Sequence, residues 1–317
     1  MRDDLNTRIS MLTKRRTGCL IFLLLALCAG NVRAQESDPS VPASRQPLPP
    51  TIDPTEIVQR ALNEDQRDFD LEKNYTFEDR VELKVMGKEK SVKKHDITTF
   101  DVTILYDQPY WRRIRRNDQP LTAKDERKEQ EKVDKFVDER KNESDKDHEK
   151  RLAKLEKERQ EARAFVRDVI NAYDFRLAGE ETVDGHDTYV VDAIPRKDFH
   201  PTQPHADILP KLRGKIWISK DDYGCVKLEA ETLDTISWGL FLLRIHKGSQ
   251  IHFEQTRVND EIWLPRRISV DASARVALFA SGAIDWQSEF SNYKKFSSGV
   301  RILPGTAEMQ TSAAPNR

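Results

Sequence analysis

Alternation of apolar and polar side chains, sustained over many short segments and interrupted by one long charged run, is the feature that most limits what this chain can fold into. Tyr75, Phe77, Val81, Leu83 and Val85 alternate with Thr76, Glu78, Arg80, Glu82 and Lys84, the period-two pattern of a strand with one buried face. Phe100, Val102, Ile104 and Tyr106 alternate with Asp101, Thr103 and Leu105, and Tyr110–Ile114 follows the Asp107-Gln108-Pro109 turn. Strands resume at Phe175 and Leu177, turn at Val183-Asp184-Gly185-His186, and return over Tyr189–Ala193. Gly214–Ile218 follows a Pro-rich loop, and Asp221-Asp222-Tyr223-Gly224 turns into Val226, Leu228 and Ala230. Gln250–Val258, the Asn259-Asp260 turn and Ile262–Val270 make the clearest hairpin, since paired Asn and Asp tolerate the positive φ of a tight two-residue turn. Ser273–Gly282 and Ile284–Tyr293 complete the series. The pattern predicts an α+β chain, mainly β: one antiparallel sheet of about ten strands, strongly curved, with an apolar face that something must cover.

Two helical regions supply candidates for that cover. Asp53-Pro54-Thr55-Glu56 carries an acidic cap followed by Pro at the first helical position, with Ile57, Val58, Ala61 and Leu62 at helical spacing behind it. The opening helix and the segment 201–212 are the natural lids. Between the strands, Lys124–Arg163 is charged at roughly two positions in three, with mixed signs and neither Gly nor Pro. Val133, Phe136 and Val137 mark a thin apolar face there. A second stripe runs through Leu152, Leu155, Ala162, Phe165, Val166, Val169, Ile170 and Tyr173. The pattern predicts a helical hairpin bent around 142–147. It reads either as a solvated pair tucked over the sheet by its stripe or as an arm for a protein partner.

The first residues address the compartment. Lys14, Arg15 and Arg16 precede the apolar run Cys19–Ala29, and Val32 and Ala34 stand where a signal peptidase reads small residues. This predicts a signal peptide over 1–34 cut after Ala34, and a periplasmic or secreted mature chain. The run is short for a bilayer span, which takes about 20 apolar residues. Leu25-Ala26-Leu27-Cys28 fits a lipid-modification box poorly, because Leu27 stands where a small residue belongs. Cys19 and Cys28 fall in the leader, leaving Cys225 without an intrachain partner. Beside a turn, it reads as a packing residue. A Pro-rich tether, 35–52, and a flexible tail, 305–317, flank the predicted domain at 53–304, whose insert spans 121–173. A net charge of -1 creates no field to gather phosphate backbones, so nucleic acid is not expected as a partner.

The residues carry no catalytic signature: no Gly-x-Ser-x-Gly elbow, His-Glu-x-x-His, phosphate loop or dinucleotide glycine cluster. His200, His205 and Asp207 share a loop whose spacing fixes no metal geometry, and Asp221 and Asp222 lack the further acids of a calcium loop. Neither an enzyme, a metal nor a cofactor is predicted. The informative segment is Ile236-Ser237-Trp238-Gly239-Leu240-Phe241-Leu242-Leu243, which breaks the in–out alternation. It reads as core buried on both sides, or as one wall of a cavity for acyl chains with Trp217, Trp238, Trp263 and Trp286 as broad apolar surfaces.

Gly214-Lys215-Ile216-Trp217-Ile218-Ser219-Lys220-Asp221-Asp222-Tyr223-Gly224-Cys225-Val226-Lys227-Leu228-Glu229, together with the leader, the opening helix, the long meander and the closing Ser291-Asn292-Tyr293-Lys294-Lys295-Phe296, resembles the lipoprotein-carrier superfamily, the LolA/LolB/RseB-like proteins of the bacterial envelope. The likeness spans roughly 53–300 in layout, apart from the charged insert, and its motifs are mostly structural. It implies an incomplete antiparallel barrel wrapped around helices and enclosing an apolar cavity. The implied function is non-enzymatic binding or carriage of lipid or lipoprotein acyl chains, which favours the cavity reading of Trp238–Leu243; the residues' own apolar surfaces make Trp217, Trp238, Leu240, Phe241, Leu242, Trp263 and Trp286 the expected lining. The other reading is an envelope interaction or stress-sensing module that docks a protein partner through 124–163. No motif of the carriers' own binding residues is present, and fold alone does not fix function.

Overall fold

The computed structural model describes residues 52–87, 91–106, 108–203, 205–238, 243–276 and 280–296. The leader, the Pro-rich tether and the C-terminal tail lie outside them. Helix α1, Pro54–Glu72, starts where the sequence puts it: the Asp53 side chain accepts from the Thr55 amide at 2.9 Å, with Pro54 at the first turn. Strands β1 (Tyr75–Met86), β2 (Val92–Leu105), β3 (Gln108–Arg116) and the two-residue β4 (Gln119–Pro120) follow as a meander. The insert is α2 (Ala123–Lys141) and α3 (Asp145–Ala172). Thr122 and Ser144 cap them by accepting from the amides of Asp125 and Asp147, and the bend falls at 142–144. Then come β5 (Tyr173–Val183), β6 (His186–Pro195), a 3-10 helix (Ala206–Lys211), β7 (Leu212–Ser219), β8 (Cys225–Thr232), β9 (Ile236–Trp238), β10 (Leu243–Ile245), β11 (Gln250–Val258), β12 (Ile262–Val276) and β13 (Ala280–Lys295).

All strands pair antiparallel in one sheet of order β4-β3-β2-β1-β13-β12-β11-β8-β7-β6-β5, with β10 added to β12 and β9 to β10. The two ends of that path, β4 and β5, are not paired with each other, so the curved sheet stays an open half-barrel. Its centre is a pairing of chain termini: β1 lies against β13, with Leu83 opposite Trp286 and Val85 opposite Ile284. The three tight hairpin turns have two successive residues at positive φ: Asn117-Asp118, Asp184-Gly185 and Asn259-Asp260. These residue types accept that conformation at little cost, which is why the turns are visible in the sequence.

Two strand boundaries differ from expectation. Ser273–Gly282 is not a strand of its own: β12 runs on to Val276 and β13 begins at Ala280. Pairing across the hairpin, from Arg267 opposite Glu289 to Val276 opposite Ala280, extends both strands beyond what local alternation marks. Likewise β2 begins at Val92 instead of Phe100, because β1 supplies it with partners back to Met86.

The core lies on one face of the sheet beneath α1, the C-terminal half of α3 and the 3-10 helix. Ile57, Val58, Ala61 and Leu62 of α1, Phe165, Val166, Val169 and Ala172 of α3, and Ala206, Ile208 and Leu209 of the 3-10 helix are all buried against it. The insert therefore serves both faces. Leu105 and Tyr110, on the opposite face from Val102 and Trp111, pack with Val133, Phe136 and Val137 of α2, whereas α3 ends in the core. The apolar stripe of α3 is buried only in its second half; Leu152 is 42% exposed.

Candidate functional site

Polar latches hold the lids in place. Arg60 of α1 donates to the Tyr223 hydroxyl at 2.9 Å and stacks over its ring at 4.9 Å. Eight residues on, Asp68 accepts from the Trp263 amide at 2.9 Å. On α3, the buried Asp168 carboxylate accepts from the Thr202 amide (2.8 Å), the Thr202 hydroxyl (2.7 Å) and the Gln203 amide (2.9 Å). Tyr173 donates to the Leu209 carbonyl at 2.9 Å. The 201–212 segment is thus tied to α3 through Asp168 and to the first residue of β5 through Tyr173.

Cover is uneven. The helices pack chiefly on β5, β7, β12 and one another. Inner-face residues of the central strands, Val81 and Val85 on β1 and Phe290 on β13, contact the core yet keep exposed surface. Val81 and Val85, with the buried Leu83, Ile284 and Trp286, form an apolar strip along the β1–β13 pairing, and the buried Asp79 and Ser288 stand between that strip and Phe290.

Of the seven residues expected to line a cavity, the three with described side chains, Trp217, Trp263 and Trp286, do not form one group. Trp286 lies on the inner face, 4% exposed, within the main core. Trp217 points the other way: Ile216 and Ile218 pack on the core, while the intervening indole donates to Glu181 at 2.7 Å and carries Lys227 over its ring at 4.4 Å. Period-two alternation already places Trp217 on the face opposite its two isoleucine neighbours. Trp263 sits among turns. Its indole donates to Asp222 at 2.9 Å, His186 lies edge-on at 4.8 Å, and a Cβ on Gly224 would collide with the ring. Asp222 is also paired with Arg257. Burial works to raise the Asp222 carboxyl, but hydrogen bonds from Trp263, Gly224 and Ser219 outweigh it and hold the group below its ordinary value. Trp238 belongs to β9, opposite Leu243 of β10. Ile236 and Ile245 of that hairpin are fully buried. Leu240, Phe241 and Leu242 lie outside the described residues.

An acidic continuation of the lid helix escaped the sequence reading. Asp65, Asp68 and Glu72 extend, at helical spacing, the face that begins with Ile57, Val58, Ala61 and Leu62. Burial raises Asp68, partly offset by the Trp263 amide. Burial first, and then the neighbouring Asp65 and Asp68, push Glu72 up to about 8. Extending the apolar spacing one turn past Leu62 would have exposed this stripe. Burial likewise raises the Cys225 thiol far above its ordinary value, which fits a packing residue better than a reactive one. Among the described residues no cluster of His, Cys, Asp and Glu could hold a metal ion, and no helix is long and apolar enough to cross a membrane.

The result is a curved antiparallel sheet left open, with helices seated on its inner face. No family model and no curated protein matches the chain. Solved structures similar to it include a DUF1329 family protein from Desulfovibrio piger, with 14% identity, 79% of this chain and 96% of that chain covered, and a TM-score of 0.30. An outer membrane lipoprotein-sorting protein domain from Vibrio parahaemolyticus has 11% identity, 78% and 93% coverage and a TM-score of 0.30. A LolA superfamily protein from Nitrosomonas europaea has 12% identity, 80% and 96% coverage and a TM-score of 0.27.

Proposed function

We propose that this chain is a non-enzymatic binding protein of the bacterial cell envelope that takes up acyl chains of a lipid or lipoprotein on the inner face of its open sheet. The observation that carries this reading is the apolar strip of β1 and β13, where Val81 and Val85 keep exposed surface, as does Phe290 past the Asp79–Ser288 pair, while the helices cover the strands beyond. Each CH2 moved from water to such a surface contributes about 0.8 kcal/mol, so a single chain binds with useful affinity and no charged contact. The secretory pattern of the first 34 residues supports an envelope location. Mass spectrometry of organic extracts from the purified mature protein tests the proposal: co-purified or loadable amphiphiles are expected, and repeated failure to load any refutes it.

A second reading rests on the insert. Beyond the contacts of Val133, Phe136 and Val137, α2 presents a charged surface, and the first half of α3 exposes Leu152. In that reading the insert docks an envelope protein and the sheet is scaffold. Deleting 124–163 would then abolish partner capture while leaving the sheet folded.

A further inference from the structure

Three of the tryptophans singled out in the sequence have described side chains, and two of their indole N–H groups are engaged, Trp217 with Glu181 and Trp263 with Asp222. The third is not. Trp286 Nε1 is buried, with no hydrogen-bond partner. Buried donors left without acceptors are rare and carry a cost that a water or ligand normally relieves. A buried water needs two or more polar partners, and the surroundings supply few. The cross-strand neighbours of Trp286 are Leu83 and Val270, and along its own strand Ile284 is apolar. The remaining neighbour, Ser288, donates its hydroxyl to the buried Asp79 carboxylate. The unanswered donor belongs to the strip whose flanking residues, Val81 and Val85, keep exposed surface.

Building on the acyl-chain reading above, we propose that Trp286 is the polar anchor of the site: its indole N–H donates to the carbonyl oxygen of a bound acyl group, so that the inner face selects acyl chains over bare hydrocarbon. The chain itself lies along Val81, Val85 and Phe290, and the single hydrogen bond fixes where its carbonyl end rests. The recognised chemistry is an acyl carbonyl, either the ester of a glycerolipid or the amide of an N-acylated protein.

The test is displacement of a bound fluorescent probe, N-phenyl-1-naphthylamine, by methyl dodecanoate, N-methyldodecanamide and n-tetradecane, with wild type and Trp286→Phe. Wild type is expected to prefer at least one carbonyl ligand over the alkane by about fivefold, the worth of one neutral hydrogen bond. The better of ester and amide identifies the source. Trp286→Phe should erase the preference while still binding the alkane. A preference that survives in Trp286→Phe, or a wild type that binds alkane and carbonyl ligands equally, overturns the anchor while leaving the acyl-chain reading standing. If none of the three ligands displaces the probe from wild type, the acyl-chain reading fails and the anchor with it.

Discussion

Removing the Asp168 carboxylate should release the loop that carries the 3-10 lid, and the geometry gives the size of the effect. One oxygen of Asp168 accepts both backbone amides, from Thr202 and Gln203, and the other accepts the Thr202 hydroxyl. In Asp168→Ala all three donors lose their acceptor in a site where Asp168 itself is 1% exposed. At about 1 kcal/mol for each bond lost, the expected cost is about 3 kcal/mol. Asp168→Asn behaves differently. Its amide oxygen can occupy the position that receives the two backbone N–H groups, and its NH2 can donate to the Thr202 hydroxyl, so only the charge contribution is lost, about 1 kcal/mol. Urea unfolding of both variants gives the two values. Hydrogen exchange over 196–211 reports whether the loss is local, with faster exchange expected there than in β12 and β13. Equal costs for Ala and Asn, or a cost below about 0.5 kcal/mol for Ala, would refute the claim that this carboxylate pins the loop.

Two further predictions concern the turn at Gly224 and helix α1. Gly224→Ala forces a methyl group into the Trp263 indole and should destabilise the chain by about 1–3 kcal/mol, read as a lowered thermal midpoint; an unchanged midpoint means the turn relaxes freely. Burial, helped by Asp65 and Asp68, pushes the Glu72 carboxyl up to about 8 in the folded protein from 4.5. The linked stability is fully present below the unfolded value and is lost as pH rises from about 4.5 through 8, because only the unfolded chain ionises readily in that window. The loss should reach about 3 kcal/mol, less than full linkage since Glu72 keeps some exposed surface. Denaturation at pH 5 and pH 9 should show this loss in wild type and its near disappearance in Glu72→Gln; the same pH dependence in both proteins would exclude Glu72 as its source.

Local chemistry announced the elements of this protein. The Asp53-Pro54 start, the Asn259-Asp260 and Asp184-Gly185 turns, and the alternation in β1, β7 and β8 are short-range constraints, each set by one residue's conformational preference or by the two faces of a strand. The same alternation was enough to show that Trp217 faces away from Ile216 and Ile218, although aromatic bulk had suggested a shared cavity wall. What no local pattern contains is which strand meets which. The pairing of β1 with β13 joins residues more than two hundred positions apart, Tyr75 opposite Lys295, and it places Trp286 beside Leu83 in the strip that remains partly open. The insert was legible as two helices by its charge and spacing, but its division between the two faces of the sheet, α2 outside on Tyr110 and the end of α3 inside on the core, depends on where β3 and β5 lie. No local pattern sets Asp168 and Asp68 apart from other acids of their helices, because a carboxylate acquires its role only when the fold brings backbone amides of a distant segment to it. Residue preferences act over a few positions, whereas burial and hydrogen-bond partners are properties of the assembled sheet and its lids; the sequence by itself determined the strands, turns and helices, and tertiary packing decided which side chains form the site.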